Sequence, residues 1–246
     1  MKKVTLLVIT LLTAGITNAQ WGEKVKGNGK VITEERSTGD YNSIAISGWF
    51  DVALVDGKEG DISIKGEENL LEYILTEVKD GKLSIKVKKG YYLKPSSWDK
   101  GSINITIPIQ SINAVTMSGS GDIVGKKTIK AVDFHTSMSG SGDIELTVEA
   151  TNISVSLSGS GDMSLTGTTE NLEIQISGSG DIKAYGLSAD NVTATVSGSA
   201  DIKVTANEML KARVSGSGDI YYKGNPKKVD STRIISTGFA INSAAT

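Results

Sequence analysis

Apolar and polar positions alternate over three successive stretches of the chain: Ile153, Val155, Leu157; then Leu172, Ile174, Ile176; then Val192, Ala194, Val196. Polar residues such as Ser154, Ser156, Glu173 and Gln175 fill the gaps between them. A period of two predicts strands with one buried face. Each stretch ends in nearly the same five residues. Ser118-Gly119-Ser120-Gly121-Asp122 recurs at Ser139 to Asp143, Ser158 to Asp162, Ser177 to Asp181 and Ser215 to Asp219. A sixth copy, Ser197 to Asp201, carries Ala200 in place of the second glycine. The starting serines lie 21, 19, 19, 20 and 18 residues apart. A shorter alternation follows each copy (Met163 and Leu165, Ile182 and Ala184, Ile202 and Val204), and clusters such as Gly167-Thr168-Thr169 close the unit. Each repeat therefore reads as strand, tight glycine turn, short strand, looser turn.

A unit with one apolar face cannot bury it alone, and stacking neighbours in parallel makes a continuous core. The expected fold class is all-β, a parallel β-helix or solenoid with rungs of about 20 residues spaced ~4.8 Å apart. An antiparallel meander or sandwich competes, but it would alternate two turn types instead of repeating one. Stacking in register would set Asp122, Asp143, Asp162, Asp181, Asp201 and Asp219 in a ladder. Solvation, capping of turn N–H groups and bound cations could each accommodate those charges. One carboxylate per rung is a poor set for calcium, which takes about six to eight oxygen ligands. The aspartates are expected to be structural turn ladders with no metal.

Residues 41–110 keep the alternation less regularly. Ser47-Gly48-Trp49-Phe50-Asp51 reads as a degenerate repeat, Glu68 to Ile74 as a short helical turn, and Asp80-Gly81 as a hairpin. Lys94 to Lys100, with Pro95 and Trp98, reads as a surface loop, and Ile103, Ile105 and Ile107 as the strand leading into the regular array. Ser236-Thr237-Gly238-Phe239 falls 21 residues after Ser215 and suggests a last, capping rung. The division expected is 1–19 signal peptide, 20–37 N-terminal extension, 38–110 irregular β section and 111–246 regular solenoid with a C-terminal cap.

The signal peptide rests on Lys2 and Lys3, an apolar run from Val4 to Ile16, and small residues at Thr17-Asn18-Ala19. That run is short of the ~20 residues that cross a bilayer, so no integral membrane segment is expected in the mature chain. The chain has no cysteine, which excludes disulfides, a thiol nucleophile and a lipidated N-terminus. It has one histidine, His135, expected at the surface, so multi-histidine metal sites are excluded too. A net charge of −2 gives no basic footprint for nucleic acid.

These motifs together resemble the family of the putative auto-transporter adhesin, head GIN domain, over roughly residues 38–240. The resemblance is carried by Ile46-Ser47-Gly48-Trp49-Phe50-Asp51-Val52, Glu68-Asn69-Leu70, Asp80-Gly81-Lys82-Leu83, Ile107-Pro108 and the repeated pentapeptide. It implies a right-handed β-helix in an exported protein and carries no catalytic residue with it. A glycosidase needs two carboxylates at one set separation, whereas here a carboxylate recurs on every rung, so no enzyme and no cofactor are expected. Trp49, Phe50, Tyr91, Tyr92 and Trp98 sit in turn or loop contexts and are the candidate ligand-binding residues, with core or end-cap packing as the alternative. The function expected is an adhesin-like module of the cell envelope (periplasm, outer-membrane-associated or cell surface). Its partner would be a glycan or a cell-surface or matrix protein. A structural envelope scaffold and a carbohydrate-active enzyme on the same fold are the other two readings.

Overall fold

The computed structural model describes residues 22–97, 102–232 and 234–236. In chain order the elements are β1 (Glu23–Lys26), β2 (Val31–Ser37), β3 (Ser43–Gly48), β4 (Asp51–Asp56), β5 (Asp61–Glu67), α1 (Glu68–Leu71), β6 (Ile74–Lys79), β7 (Lys82–Val87), β8 (Tyr91–Lys94) and β9 (Asn104–Ile109). They continue with β10 (Ala114–Gly119), β11 (Ile123–Gly140), β12 (Ile144–Gly159), β13 (Met163–Gly178), β14 (Ile182–Gly198) and β15 (Ile202–Gly216). The last three are β16 (Ile220–Lys223), β17 (Lys228–Ser231) and β18 (Ile235–Ser236).

From β10 to β15 every strand pairs in parallel with the next in sequence, and motif residues fall opposite motif residues: Ser118 on Ser139, Ser158 on Ser177, Ser197 on Ser215. The parallel solenoid, with about six turns, is borne out against the antiparallel alternative. Each coil is one long strand bent at a corner. In β12, Ile144, Leu146 and Val148 point inward. The alternation then breaks at Glu149–Asn152, and Ile153, Val155 and Leu157 resume it on the second arm. Stacked coils align these inward residues into aliphatic columns, such as Ile123, Ile144, Met163, Ile182, Ile202 and Ile220. Burying such columns between the two arms is the main stabilising term.

The uneven repeat length has a single structural source. The motif-side arms stay in register throughout, and the register slips only on the other arm and corner: at Val124/Thr128, at Ser164/Thr166, and around Ala184 to Asn191. Added or missing residues bulge where the coil is loose, and the tight turn keeps its register.

The N-terminal third extends both arms with mixed strands. β3 lies in register on β10, Ser47 opposite Ser118 and Gly48 opposite Gly119, so the Ser47–Asp51 turn is a rung of the same stack. Beyond β3 come β7, in parallel, and β6, joined to β7 as an antiparallel hairpin through Asp80 and Gly81. Both turn residues have positive φ, 51° and 74°, as a two-residue type I′ turn requires. On the other arm β4 pairs with β9, β9 with β5 and β5 with β2, the last two antiparallel. β2 thus lies within the segment read as an N-terminal extension and pairs along its whole length with β5. β1 and β8 form a separate two-stranded sheet.

At the far end β16 and β17 stack on the two arms of β15. Ser236, read as the start of a last capping rung, lies at this end of the stack on the arm of β16. β18 pairs in parallel with β16, Ser236 opposite Tyr222. Residues Thr237 to Phe239 and the segment 1–19 lie outside the described residues.

Candidate binding surface

The pentapeptide turn is built around carbonyl groups of the rung below. Gly119 and Gly140 adopt φ of 149° and 151°, which L side chains avoid, and a Cβ on either would overlap the carbonyl oxygen of the stacked glycine beneath, Gly48 or Gly119. The second glycine has a different reason. Gly121 and Gly142 need no positive φ, but a Cβ there would overlap the carbonyl oxygen of Phe50 or Gly121. The serine between them donates its N–H back one rung, Ser120 to Gly48 O at 3.1 Å and Ser141 to Gly119 O at 3.0 Å. Ala200 occupies the second-glycine place in one rung, fully buried.

The six aspartates stack above Asp51. One carboxylate oxygen of each of the first five, Asp122 to Asp201, accepts the backbone N–H of the aspartate in the next rung. The distances are 3.0 Å from Asp143 to Asp122, 3.0 Å from Asp162 to Asp143 and 3.0 Å from Asp181 to Asp162. The same bond is 2.9 Å from Asp201 to Asp181 and from Asp219 to Asp201. The ladder is not uniform electrostatically. Burial would raise the Asp162 carboxyl, but Lys183 at 2.7 Å and the Asp181 N–H outweigh it and hold it below the usual carboxylate value. Burial pushes Asp51 up, the charge of Asp122 adds to that, and the Asp122 N–H offsets only part.

The aromatic candidates separate. Phe50 does not line a surface: it is fully buried, because the first-rung turn swings its ring into the core under Gly48. It is removed from the candidate ligand set. Trp49 packs partly against the core, its ring 6.0 Å from that of Phe50. Tyr91 packs against Tyr73 with ring centroids 4.6 Å apart and the rings tilted at 49°, and Lys88 lies over its face. Tyr92 is the solvent-facing member, 57% exposed on β8. Trp98 lies outside the described residues. His135 is exposed on the outer side of β11.

Two features of the outer surface follow from the repeat. On the arm that enters the motif turn, one outward column is Ser47, Ser118, Ser139, Ser158, Ser177 and Ser197, and the column beside it is Ala45, Thr116, Ser137, Ser156, Gln175 and Thr195. These line a shallow depression of about 570 Å³ with no ionisable side chain on it, until Arg213 arrives one rung later. The second feature sits at the opposite corner of the coil. Asn152 Nδ2 donates to Asp133 Oδ1 at 2.7 Å, Asn171 to Asn152 at 2.9 Å and Asn191 to Asn171 at 3.1 Å. This amide ladder was missed in the sequence. Its members return at the same spacing as the pentapeptide, but they are single residues in variable surroundings and so make no visible motif.

Chemically, hydroxyl, amide and carboxylate groups recur rung after rung in columns. Among the described residues no group of acidic or histidine side chains converges to hold a metal ion. No helix among them is long and apolar enough to cross a membrane.

The fold and surface define a class: a β-solenoid of short stacked coils with repetitive side walls. The chain belongs to the family of the putative auto-transporter adhesin, head GIN domain, whose model matches residues 40–226. Among solved structures it is similar to a putative adhesin from Bacteroides fragilis NCTC 9343, with 27% identity and a TM-score of 0.77 over 87% of this chain and 98% of that one. It is also similar to a putative lipid binding protein from Parabacteroides distasonis ATCC 8503, with 28% identity and a TM-score of 0.71 over 88% and 98%. A putative adhesin from Parabacteroides merdae ATCC 43184, at 22% identity and a TM-score of 0.65 over 88% and 98%, shares the fold. Among curated proteins none matches the chain.

Proposed function

We propose that the protein is an exported, non-catalytic binding module of the cell envelope, adhesin-like in that its solenoid side walls present a repeated surface to an extended partner. One observation carries this reading. The chemistry-bearing side chains are distributed along the stack, one per rung in each column, and not gathered into one constellation. Catalysis needs a nucleophile, base or acid positioned against one reacting atom. A surface that repeats every rung suits a partner that is itself long and repetitive. Family membership supports the same direction, and the features of residues 1–19 support export.

The partner is a glycan or a cell-surface or matrix protein, bound without a cofactor. Protease treatment of intact cells, with a periplasmic protein as control, tests the location. Cleavage or release of the protein from whole cells is the expected result. Protection until the outer membrane is opened would overturn the surface-adhesin reading in favour of a periplasmic scaffold.

A further inference from the structure

An outer depression of about 780 Å³ runs along the corner opposite the pentapeptide turns. One wall is the amide ladder of Asp133, Asn152, Asn171 and Asn191. The other is the outward column two residues further on: His135, Ser154, Glu173 and Thr193. Four consecutive rungs thus each contribute one amide or carboxylate and one hydroxyl, imidazole or carboxylate, over roughly 14 Å at ~4.8 Å per step.

The ladder fixes the amides and leaves them able to bind. Each asparagine spends one of its two N–H donors on the rung below, so the second N–H and the outer lone pairs stay available at a regular interval. All the ladder bonds point the same way and end on the anionic Asp133, which is the favourable end for a polarised chain of donors. Side chains held this way lose little rotamer freedom when a ligand arrives, which lowers the cost of binding.

Two further properties narrow the ligand. The backbone N–H and C=O groups of these coils are consumed by rung-to-rung pairing. An extended peptide therefore cannot add as a strand here, and a ligand must bring its own donors and acceptors to side chains. The lining also carries two carboxylates, Asp133 and Glu173, and neither lysine nor arginine. That balance repels sulfated or phosphorylated polymers. We propose that this groove binds a neutral, unbranched polysaccharide lying along the solenoid axis, its hydroxyls paired with the amide ladder on one side and with His135, Ser154, Glu173 and Thr193 on the other. This rests on the binding-module reading above and assigns it a site and a ligand class.

The test is a backbone-amide NMR titration of the purified chain. The probes are neutral β-1,4-glucan, β-1,4-mannan and β-1,3-glucan hexasaccharides, with a heparin oligosaccharide for comparison. The expected result is that at least one neutral probe shifts the residues of rungs 133–193 along this corner, and that heparin does not. The double variant His135→Ala/Glu173→Ala alters exposed side chains only, so its melting temperature should hold while affinity falls about tenfold or more, as expected for losing polar contacts worth ~1.4 kcal/mol. Shifts confined to the serine columns would overturn this site and leave the binding-module reading intact. Stronger binding of heparin, or no groove shift with any neutral probe, would overturn the proposal.

Discussion

Thr136 shows how a single atom departs from the repeat. In its inward column the neighbours are Val115 and Val155, and its own Oγ1 is buried without a hydrogen-bond partner among the described residues. A buried hydroxyl left unpaired costs on the order of 1–3 kcal/mol. Thr136→Val should therefore raise the stability by about 1 kcal/mol in urea denaturation. Thr169 is the internal contrast, since its hydroxyl lies 3.0 Å from Thr151 O and 3.1 Å from Asn171 O. Thr169→Val should cost about 1 kcal/mol. Equal signs for the two variants would contradict this account. Neither difference is visible in the sequence, where both residues are threonines between polar neighbours. Phe50 was equally illegible: its place in a turn suggests exposure, and only the stacking of Gly119 and Gly121 over that turn sends its ring inward. The glycine motif itself was legible because two independent constraints, positive φ and close approach, bear on its first glycine at every rung.

At the scale of elements, the N-terminal cap is organised by one buried carboxylate. Glu67, at the end of β5, accepts the Gly29 N–H at 2.6 Å on one oxygen and the Ser96 N–H at 2.7 Å on the other. Gly27 passes directly over it, and Asn69 of α1 bonds Lys26 O and the Asn28 N–H. Burial by itself would raise the Glu67 carboxyl, but these N–H groups outweigh it and hold it below its ordinary 4.5. A carboxyl lowered in the folded state adds stability above its unfolded pKa and loses it as pH falls through the folded value. Glu67→Gln should cost about 2 kcal/mol near neutral pH, the range for hydrogen bonds to a charged group. The gap to the wild type should narrow progressively below pH 4.5. A gap independent of pH would deny the carboxylate its role. The hairpin at Asp80-Gly81 and the helical turn at Glu68 were legible because their signals are local. The β1–β8 sheet was not, because it depends on contacts between segments far apart in sequence.

Over the whole molecule, local alternation and one repeated turn are enough to specify a stack whose core, walls and corners all carry the same period. The groove along the amide ladder and the serine wall both result from that stacking: no rung alone contains either. This is why the architecture could be read from the sequence and the binding surface could not. A column forms only when register is known, and register slips occur on the arm that leads from the pentapeptide to the amide corner. The same regularity makes the molecule divisible. Removing residues 163–181 would join Asp162 to Ile182, and since Ile144 and Ile182 both stack on Met163, the shortened chain should close its core with one coil fewer.

That deletion is the most direct test of the central claim, that binding is a property of the repeated wall and not of one site. Stability of a stacked repeat protein is approximately a sum over repeats and their interfaces, so the deletion should fold with a modestly lower melting temperature. With the glycan or surface protein that the intact chain retains, affinity should fall in part, by an amount set by the one missing rung. Complete loss of binding from a folded deletion protein, or no loss at all, would contradict the account and point to a single site confined to one rung or to the N-terminal section.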